Sequence, residues 1–329
     1  MSNNFFNRAG RIEILSGVKV IFTSNGSTQT IPNRANGGET IRRFEGLDFK
    51  FRCSKVCDLT MTNSKANVSV LGLSRETIQF LATYRPTNIE LANQKRIRIY
   101  ASYEDYGDSL IFDGDIIRAV PSIPPNNWLD ITAHVGNHRK NELQSLAING
   151  AIKFDDLLKA VAKLFDLDPT YVNGNTKEVQ EAKKAYVHGF ECSGTMEDII
   201  QSMNRVSNFQ VYEDFGVLEC RLKNDYKIGS SRVIIIDEKN GMIGIPEILV
   251  GSTDREKKTK DEPSTLRIKV KCFINPNINL WNDVYVKSIY LPDINGLYRV
   301  TEIEYNGHLR GQEWYMTLTL TAAYRGGNN

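Results

Sequence analysis

Three groups of side chains in this sequence are of types that carry chemistry: four histidines, a close cysteine pair and two pairs of carboxylates. His134 and His138 stand four apart, the spacing that brings two imidazoles together on a helix to hold a metal. Ile131 to Val135 alternates as a strand, however, and Gly136 interrupts any helix there, so no metal site is expected from this pair. His188 and His308 stand alone in the sequence. Cys53-x-x-x-Cys57 lacks the zinc-knuckle spacing and a second pair, and with Cys192, Cys220 and Cys272 the count is odd, so reduced and buried thiols are expected. Paired carboxylates serve glycoside cleavage. Here Asp113-Gly114-Asp115 fits a strand bend, and Asp155-Asp156 opens a helix, where acids favour the positive end of the dipole. With no Gly-x-Ser-x-Gly elbow, His-Glu-x-x-His pair or phosphate loop, no catalytic, cofactor-binding or metal-ligating residue is assigned, and no cofactor is expected.

The remaining pattern is basic and periodic. Lys50 and Arg52 alternate with Phe49, Phe51 and Cys53; Arg96 and Arg98 alternate with Ile97, Ile99 and Ala101. Arg267, Lys269 and Lys271 alternate with Leu266, Ile268, Val270, Cys272 and Ile274. A period of two gives each strand one oily and one polar side. These seven residues are the candidates for an interface or channel face, against the plainer reading of a solvated side.

To place such faces the chain must be mainly β at both ends. Ile12, Ile14, Val18, Val20 and Phe22 are followed by a Gly/Ser/Asn-rich stretch through Gly38, expected to be a loop. Strand signals recur at Leu47–Cys53, Ala66–Leu73, Leu110–Ile117 and Trp128–Val135, punctuated by Pro121, Pro124 and Pro125, with a short helix capped by Ser74. The middle changes period: Phe154, Leu157, Leu158, Val161, Leu164 and Phe165 form one apolar helix face, closed by Pro169. Lys177 to Lys184 suits a solvated helix. A further helix starts after Thr195, with Asp198 in the capping-box position, and is expected to bury Ile199, Ile200, Met203 and Val206. Strands Phe209–Glu213 and Val217–Leu222 come next, and Val233–Ile236 leads into the last region, where Asp254 to Pro263 is a charged loop. There Leu297–Tyr305 pairs with Trp314–Tyr324; Asn306-Gly307 suits a tight turn, and the closing loop runs through Gly311. The expected division is a first β domain at 1–137 that reads as a barrel or sandwich, an α+β insert at 138–236, and a last β region at 237–329 that reads as a small barrel or curled sheet.

Forty-one basic and thirty-nine acidic residues nearly cancel, so the chain has no global field of the kind a dedicated nucleic-acid binder carries. No apolar run reaches the roughly eighteen residues of a membrane span, and the Met1–Arg11 stretch lacks the apolar core of a signal peptide. A soluble protein made in a cytoplasm is expected.

Several words, in this order, resemble the baseplate hub proteins of contractile phage tails, related to the hub part of type VI secretion spikes. Near the start they are Phe49-Lys50-Phe51, Val68-Ser69-Val70-Leu71-Gly72-Leu73-Ser74 and Ile111-Phe112-Asp113-Gly114-Asp115-Ile116. Near the end they are Asn240-Gly241-Met242-Ile243-Gly244-Ile245-Pro246, Phe273-Ile274-Asn275-Pro276-Asn277-Ile278, Gly296-Leu297-Tyr298-Arg299-Val300, and then Gly307, Gly311 and Trp314-Tyr315. The chain departs from the family at Leu280-Trp281-Asn282, where a glycine often opens the next strand.

The resemblance implies a structural subunit, not an enzyme, with two tail-tube-like barrels around a middle domain. It implies a homotrimeric ring that adapts the six-fold tail tube to the three-fold central spike and leaves a channel for the genome. The implied partners are further copies of the chain, the tube and spike proteins, the tape-measure protein, and wedge or other baseplate proteins. DNA is met only in transit, and there is no membrane partner. The implied location is the virion baseplate, after assembly in the bacterial host cytoplasm. Two other classes remain: a tail-tip receptor- or carbohydrate-binding module, which would group exposed aromatics, and a tail-associated hydrolase.

The alternation generates a test. Leu318→Asp is expected to stop folding or assembly, whereas Thr319→Asp is expected to be mild unless its side is a subunit contact. Sedimentation and tail yield of the two variants measure this, and near-normal assembly of both would overturn the inward assignment of Leu318.

Overall fold

The computed structural model describes residues 7–16, 28–33, 37–44, 47–56, 64–82, 95–107, 109–122, 127–135, 143–165, 167–172, 174–214, 217–222, 233–249 and 266–322. The expectations for Val18, Val20, Phe22, Cys57, Pro124, Pro125, His138, Asp254–Pro263 and Tyr324 lie outside these residues. The chain is mainly β with a few helices.

The first region holds β1 (Arg8–Ser16), β2 (Thr28–Asn33), β3 (Gly37–Phe44), β4 (Phe49–Val56), β5 (Lys65–Leu71), α1 (Arg75–Ala82), β6 (Lys95–Tyr103), β7 (Leu110–Pro121) and β8 (Trp128–His134). The middle holds β9 (Gln144–Lys153), α2 (Phe154–Leu164), β10 (Asp168–Tyr171), α3 (Lys177–Lys183), β11 (Tyr186–Gly194), α4 (Met196–Val206), β12 (Phe209–Asp214) and β13 (Val217–Leu222). The last region holds β14 (Ile234–Asp237), β15 (Glu247–Leu249), β16 (Arg267–Cys272), β17 (Asp283–Lys287), β18 (Gly296–His308) and β19 (Trp314–Ala322).

Alternation explains the strands. Phe49, Phe51 and Cys53 of β4 are buried while Lys50 and Arg52 are exposed, and β16 buries Ile268, Val270 and Cys272. Helices begin where capping was expected: Ser74 Oγ accepts from the Thr77 amide at 3.2 Å. The Thr195–Asp198 box closes both ways, with Thr195 N donating to Asp198 Oδ2 at 2.8 Å and Asp198 N to Thr195 Oγ1 at 3.4 Å.

The two β regions do not form separate sheets. Fourteen strands share one sheet in the order β15-β16-β19-β18-β4-β5-β8-β7-β6-β1-β3-β2, with β17 on β18 and β14 on β17. The joint is the antiparallel pair of β18 with β4, in which Tyr305 opposes Cys53 and Asn306 opposes Arg52. Residues of both regions also share one apolar core, from Ile12, Phe51 and Ile131 to Ile303, Met316 and Leu318. No closed barrel is found among the described residues. The middle builds its own core, where Phe154 of α2 stacks on Phe209 at 4.5 Å and Ile199, Ile200 and Met203 of α4 join Val211 and Leu218.

The sheet curls strongly. Five strands separate β19 from β6 in its order, and six spacings of a flat sheet would set them about 29 Å apart. Yet Trp314 Nε1 donates to the Ser102 carbonyl at 3.0 Å, and the Tyr103 hydroxyl donates to the Trp314 carbonyl at 3.1 Å. Arg8 adds bonds to the carbonyls of His308 (2.9 Å) and Gln312 (3.2 Å) at the β18–β19 turn. Gly10 and Gly307 make the approach possible: an added Cβ would lie 2.9 Å from the Phe49 and Trp314 rings at the first, and 2.3 Å from Phe51 at the second.

Asn306-Gly307 is not a turn; both residues lie inside β18, and Gly307 is needed to let Phe51 and Trp314 meet edge-on at 5.5 Å. The stretch through Gly38 is not all loop, because β2 and β3 pair with each other and β3 pairs with β1, supplying hydrogen bonds that composition does not foretell. The Asp113-Gly114-Asp115 motif is not itself the bend; register shifts at Ile111 and Ile117 flank it. Thr319 is only 5% exposed and donates to Glu302 at 3.0 Å, so an acid there meets a second carboxylate, and Thr319→Asp is not mild. Val206 and Leu266 lie at element ends and stay exposed.

Gly307→Ala should destabilise the protein by about 2 kcal/mol or more through forced displacement of Phe51. Gly296→Ala, whose methyl would find its nearest atom at 3.8 Å, should stay within about 0.5 kcal/mol. Urea unfolding midpoints measure both, and equal midpoints would contradict the packing role of Gly307.

Candidate interaction surface

The pairing register decides where the seven basic residues stand. Residues directly opposite on neighbouring strands share a face, and one row runs Lys271, Thr317, Glu304, Ser54, Lys65, His134, Asp115, Arg96 across eight strands. Arg52 sits beside this row through Asn306 and Asn67, Lys50 through His308 and Ser69, and Arg98 through Asp113 and Glu13. Lys269 opposes Thr319 and Glu247, and Arg267 opposes Thr321 and Leu249. All seven therefore lie on the polar side of one sheet, opposite the core.

They are not alike on that side. Arg96 Nη2 and Arg98 Nε each approach Asp113, at Oδ1 and Oδ2, to 2.9 Å, and that carboxylate is 5% exposed. Two guanidiniums on one buried carboxylate form a structural ion cluster, extended by Asp115 opposite Arg96. Next to it Glu13, nearly fully buried, takes Arg11 Nε at 3.1 Å and the Tyr100 hydroxyl at 3.1 Å. Burial, and then the Glu13 charge, raise the Tyr100 phenol, which stays neutral as a donor.

The other basic residues are open. Lys50, Arg52, Lys269 and Lys271 surround a concavity of about 620 Å³ with Glu247, Glu304, Glu313 and Tyr315. Arg52 pairs with Glu304, but its side chain is 69% exposed, which makes the pair a weak contributor to stability. Lys271 Nζ lies 3.6 Å from the centre of the Tyr315 ring, and Lys50 Nζ lies 5.1 Å from that of Trp128. Burial raises the Tyr315 phenol, and Glu313 and Glu304 raise it further. The concavity is thus a neutral-to-basic polar trough with aromatic footholds for its lysines, suited to contact rather than to bond-making.

Alternation located every basic residue but not its counterion. The acids Glu13, Asp113 and Glu304 were missed as partners, although Arg96-x-Arg98 and Asp113-x-Asp115 have matching two-residue spacing on adjacent strands. The other candidates for chemistry disperse. His134 lies on β8, and Cys53, Cys220 and Cys272 are buried thiols raised chiefly by desolvation, Cys272 to about 12. Cys192 is half-buried against Ser202. Asp155 and Asp156 occupy the first turn of α2, Asp155 bonded to Lys159 at 2.6 Å and to the Tyr171 hydroxyl at 3.0 Å. The tryptophans stand apart, with Trp128 under Lys50, Trp281 under Arg221 and Trp314 in the core, so they build no shared platform.

The family model described as Baseplate hub gp41 matches residues 28–320. Among solved structures, the 43 kDa tail protein of prophage MuSo2 from Shewanella oneidensis is similar at 11% identity, with a TM-score of 0.55, over 85% of this chain and 94% of that one. The tail protein from Neisseria meningitidis MC58 is similar at 10% identity, with a TM-score of 0.55, over 96% and 97% of the two chains. The c3393 protein of E. coli, described as a type VI secretion component with structural similarity to the T4 tail proteins gp27 and gp5, is similar at 10% identity, with a TM-score of 0.51, over 85% and 74%. No curated protein matches the sequence.

Asp113→Asn should lower stability by about 2–4 kcal/mol, because it removes the buried carboxylate charge that both guanidiniums approach. Arg52→Ala, at the exposed pair, should change it by less than about 0.5 kcal/mol. Thermal or urea unfolding compares them, and a mild Asp113→Asn would refute the structural role of the cluster.

Proposed function

This chain belongs to the Baseplate hub gp41 family, and on that premise we propose that three copies form a hub ring of a contractile tail. The ring adapts a six-fold tail tube to a three-fold central spike and leaves a channel for genome passage. Its partners are the other two copies, the tube and spike proteins, the tape-measure protein and the wedge or other baseplate proteins, with assembly in the host cytoplasm. In this reading residues 1–137 and 237–329 are two tube-like lobes, hinged on the β4–β18 pair, and 138–236 is a middle domain carried outside them.

The observation that carries the proposal is that seven basic residues from three separate stretches share one side of one curled sheet, four of them around a single trough. A continuous polar side of that extent suits a subunit contact or a channel wall. Arg96 and Arg98 serve the fold through Asp113, so the contact role falls to Lys50, Arg52, Arg267, Lys269 and Lys271.

Single-particle imaging of the purified protein or the virion tests the assembly: a three-fold ring beneath a tail tube is expected. A stable monomer at high concentration that never enters tails would sink the proposal. Within the ring, Lys269→Glu with Lys271→Glu should leave the subunit folded while lowering ring assembly or DNA release about tenfold. Wild-type levels of both would remove the contact role from that side.

A further inference from the structure

The chain passes between the sheet and the middle core twice, between β8 and β9 and between β13 and β14. A third connection is made in space. Arg221 of β13 is 5% exposed, and its Nη1 donates to the Trp281 carbonyl at 3.2 Å while the guanidinium lies 5.0 Å from the centre of the Trp281 ring. Trp281 belongs to the segment between β16 and β17, on the sheet side of the boundary.

Trp281 is the only non-glycine with positive φ among the described residues, at 67°. An L side chain rarely adopts that conformation without surrounding contacts that impose it. The imposing contacts are visible. Trp281 N donates to the Val300 carbonyl at 2.8 Å, and Val300 N returns a bond to the Asn282 carbonyl at 3.0 Å. Asn279 N bonds Asn282 Oδ1 at 2.7 Å, closing the segment on itself. Together they pin this tight segment to β18 and turn the Trp281 carbonyl and ring toward the middle core. A buried guanidinium needs acceptors, and one residue supplies two kinds, a carbonyl lone pair and a π face.

We propose that Arg221 and Trp281 form a latch that fixes the middle core on the sheet, and that opening it lets the middle core reorient while both cores stay folded. The two cores are separately packed clusters, so breaking this contact removes no side chain from either apolar interior. The strained backbone at Trp281 marks the latch as a contact the fold maintains against local preference. Its action does not depend on what the polar side of the sheet meets.

Spin labels at Lys163→Cys on α2 and Lys287→Cys on β17, in a Cys57→Ser, Cys192→Ser background, report the distance between the cores. Arg221→Ala should widen the distance distribution roughly twofold and speed amide exchange at Trp281 and Val300 about tenfold, with β12–β13 and β18–β19 still protected. Arg221→Lys, which keeps charge without the planar fork, should fall between. An unchanged width in a folded Arg221→Ala variant overturns the latch. Should that variant lose the middle core, Trp281→Gly takes its place: it removes the ring on which the guanidinium rests and leaves the carbonyl bond, so broadening of the size expected for Arg221→Lys is the outcome that matters. Broadening then supports the latch, and an unchanged width overturns it.

Discussion

The curl of the fourteen-stranded sheet depends on one contact, the meeting of Trp314 with the Ser102–Tyr103 backbone and side chain across five intervening strands. Each hydrogen bond contributes only about 1 kcal/mol net, but both are buried, and losing one leaves a polar group without water. The indole also fills the space between Phe51 and Gly10, where no side-chain atom beyond hydrogen fits. Two glycines, one tryptophan and one tyrosine thereby convert a flat-sheet separation into contact. The residues of the shared apolar core are then enclosed, and the polar side is held as a curved wall.

That curvature governs electrostatics. Where the wall turns through β1, β6 and β7, arginines and acids are crowded together, so Arg11, Arg96 and Arg98 are balanced by Glu13, Asp113 and Asp115. Where it opens as a trough through β16, β19, β18 and β4, the lysines rest on Tyr315 and Trp128 and keep their charge available to a partner. Identical-looking alternations therefore have different physical fates. A baseplate hub subunit, which assembles with other tail components, needs both: a rigid wall and a surface whose charges are still unspent.

The middle core adds a second level of organisation. Its helices and strands β9 to β13 pack around Phe154, Phe209 and Met203 without drawing on the large sheet. Two chain crossings and Arg221 lying on Trp281 join it to the sheet. The tryptophan stands at positive φ, a conformation that glycine adopts without strain. Its side chain strains the backbone but supplies the ring on which the arginine rests.

Sequence alone determined the strands with clean alternation, the helices α2 and α4, the side-chain caps of α1 and α4, and the polar side on which each basic residue would fall. These depend on period and on contacts a few residues apart. It also sufficed for the family, because short words in a set order can be read without knowledge of their contacts. Tertiary structure decided which elements meet, whether two hundred or more residues apart, as with β18 on β4 and Tyr103 on Trp314, or only fifteen or so, as with Asp113 beneath two arginines. It also reversed Asn306-Gly307 from a turn to a strand, since the glycine answers to the Phe51 ring rather than to its own φ. Local pattern encodes which way a side chain points, whereas the identity of its neighbour depends on how the sheet is joined and how far it curls.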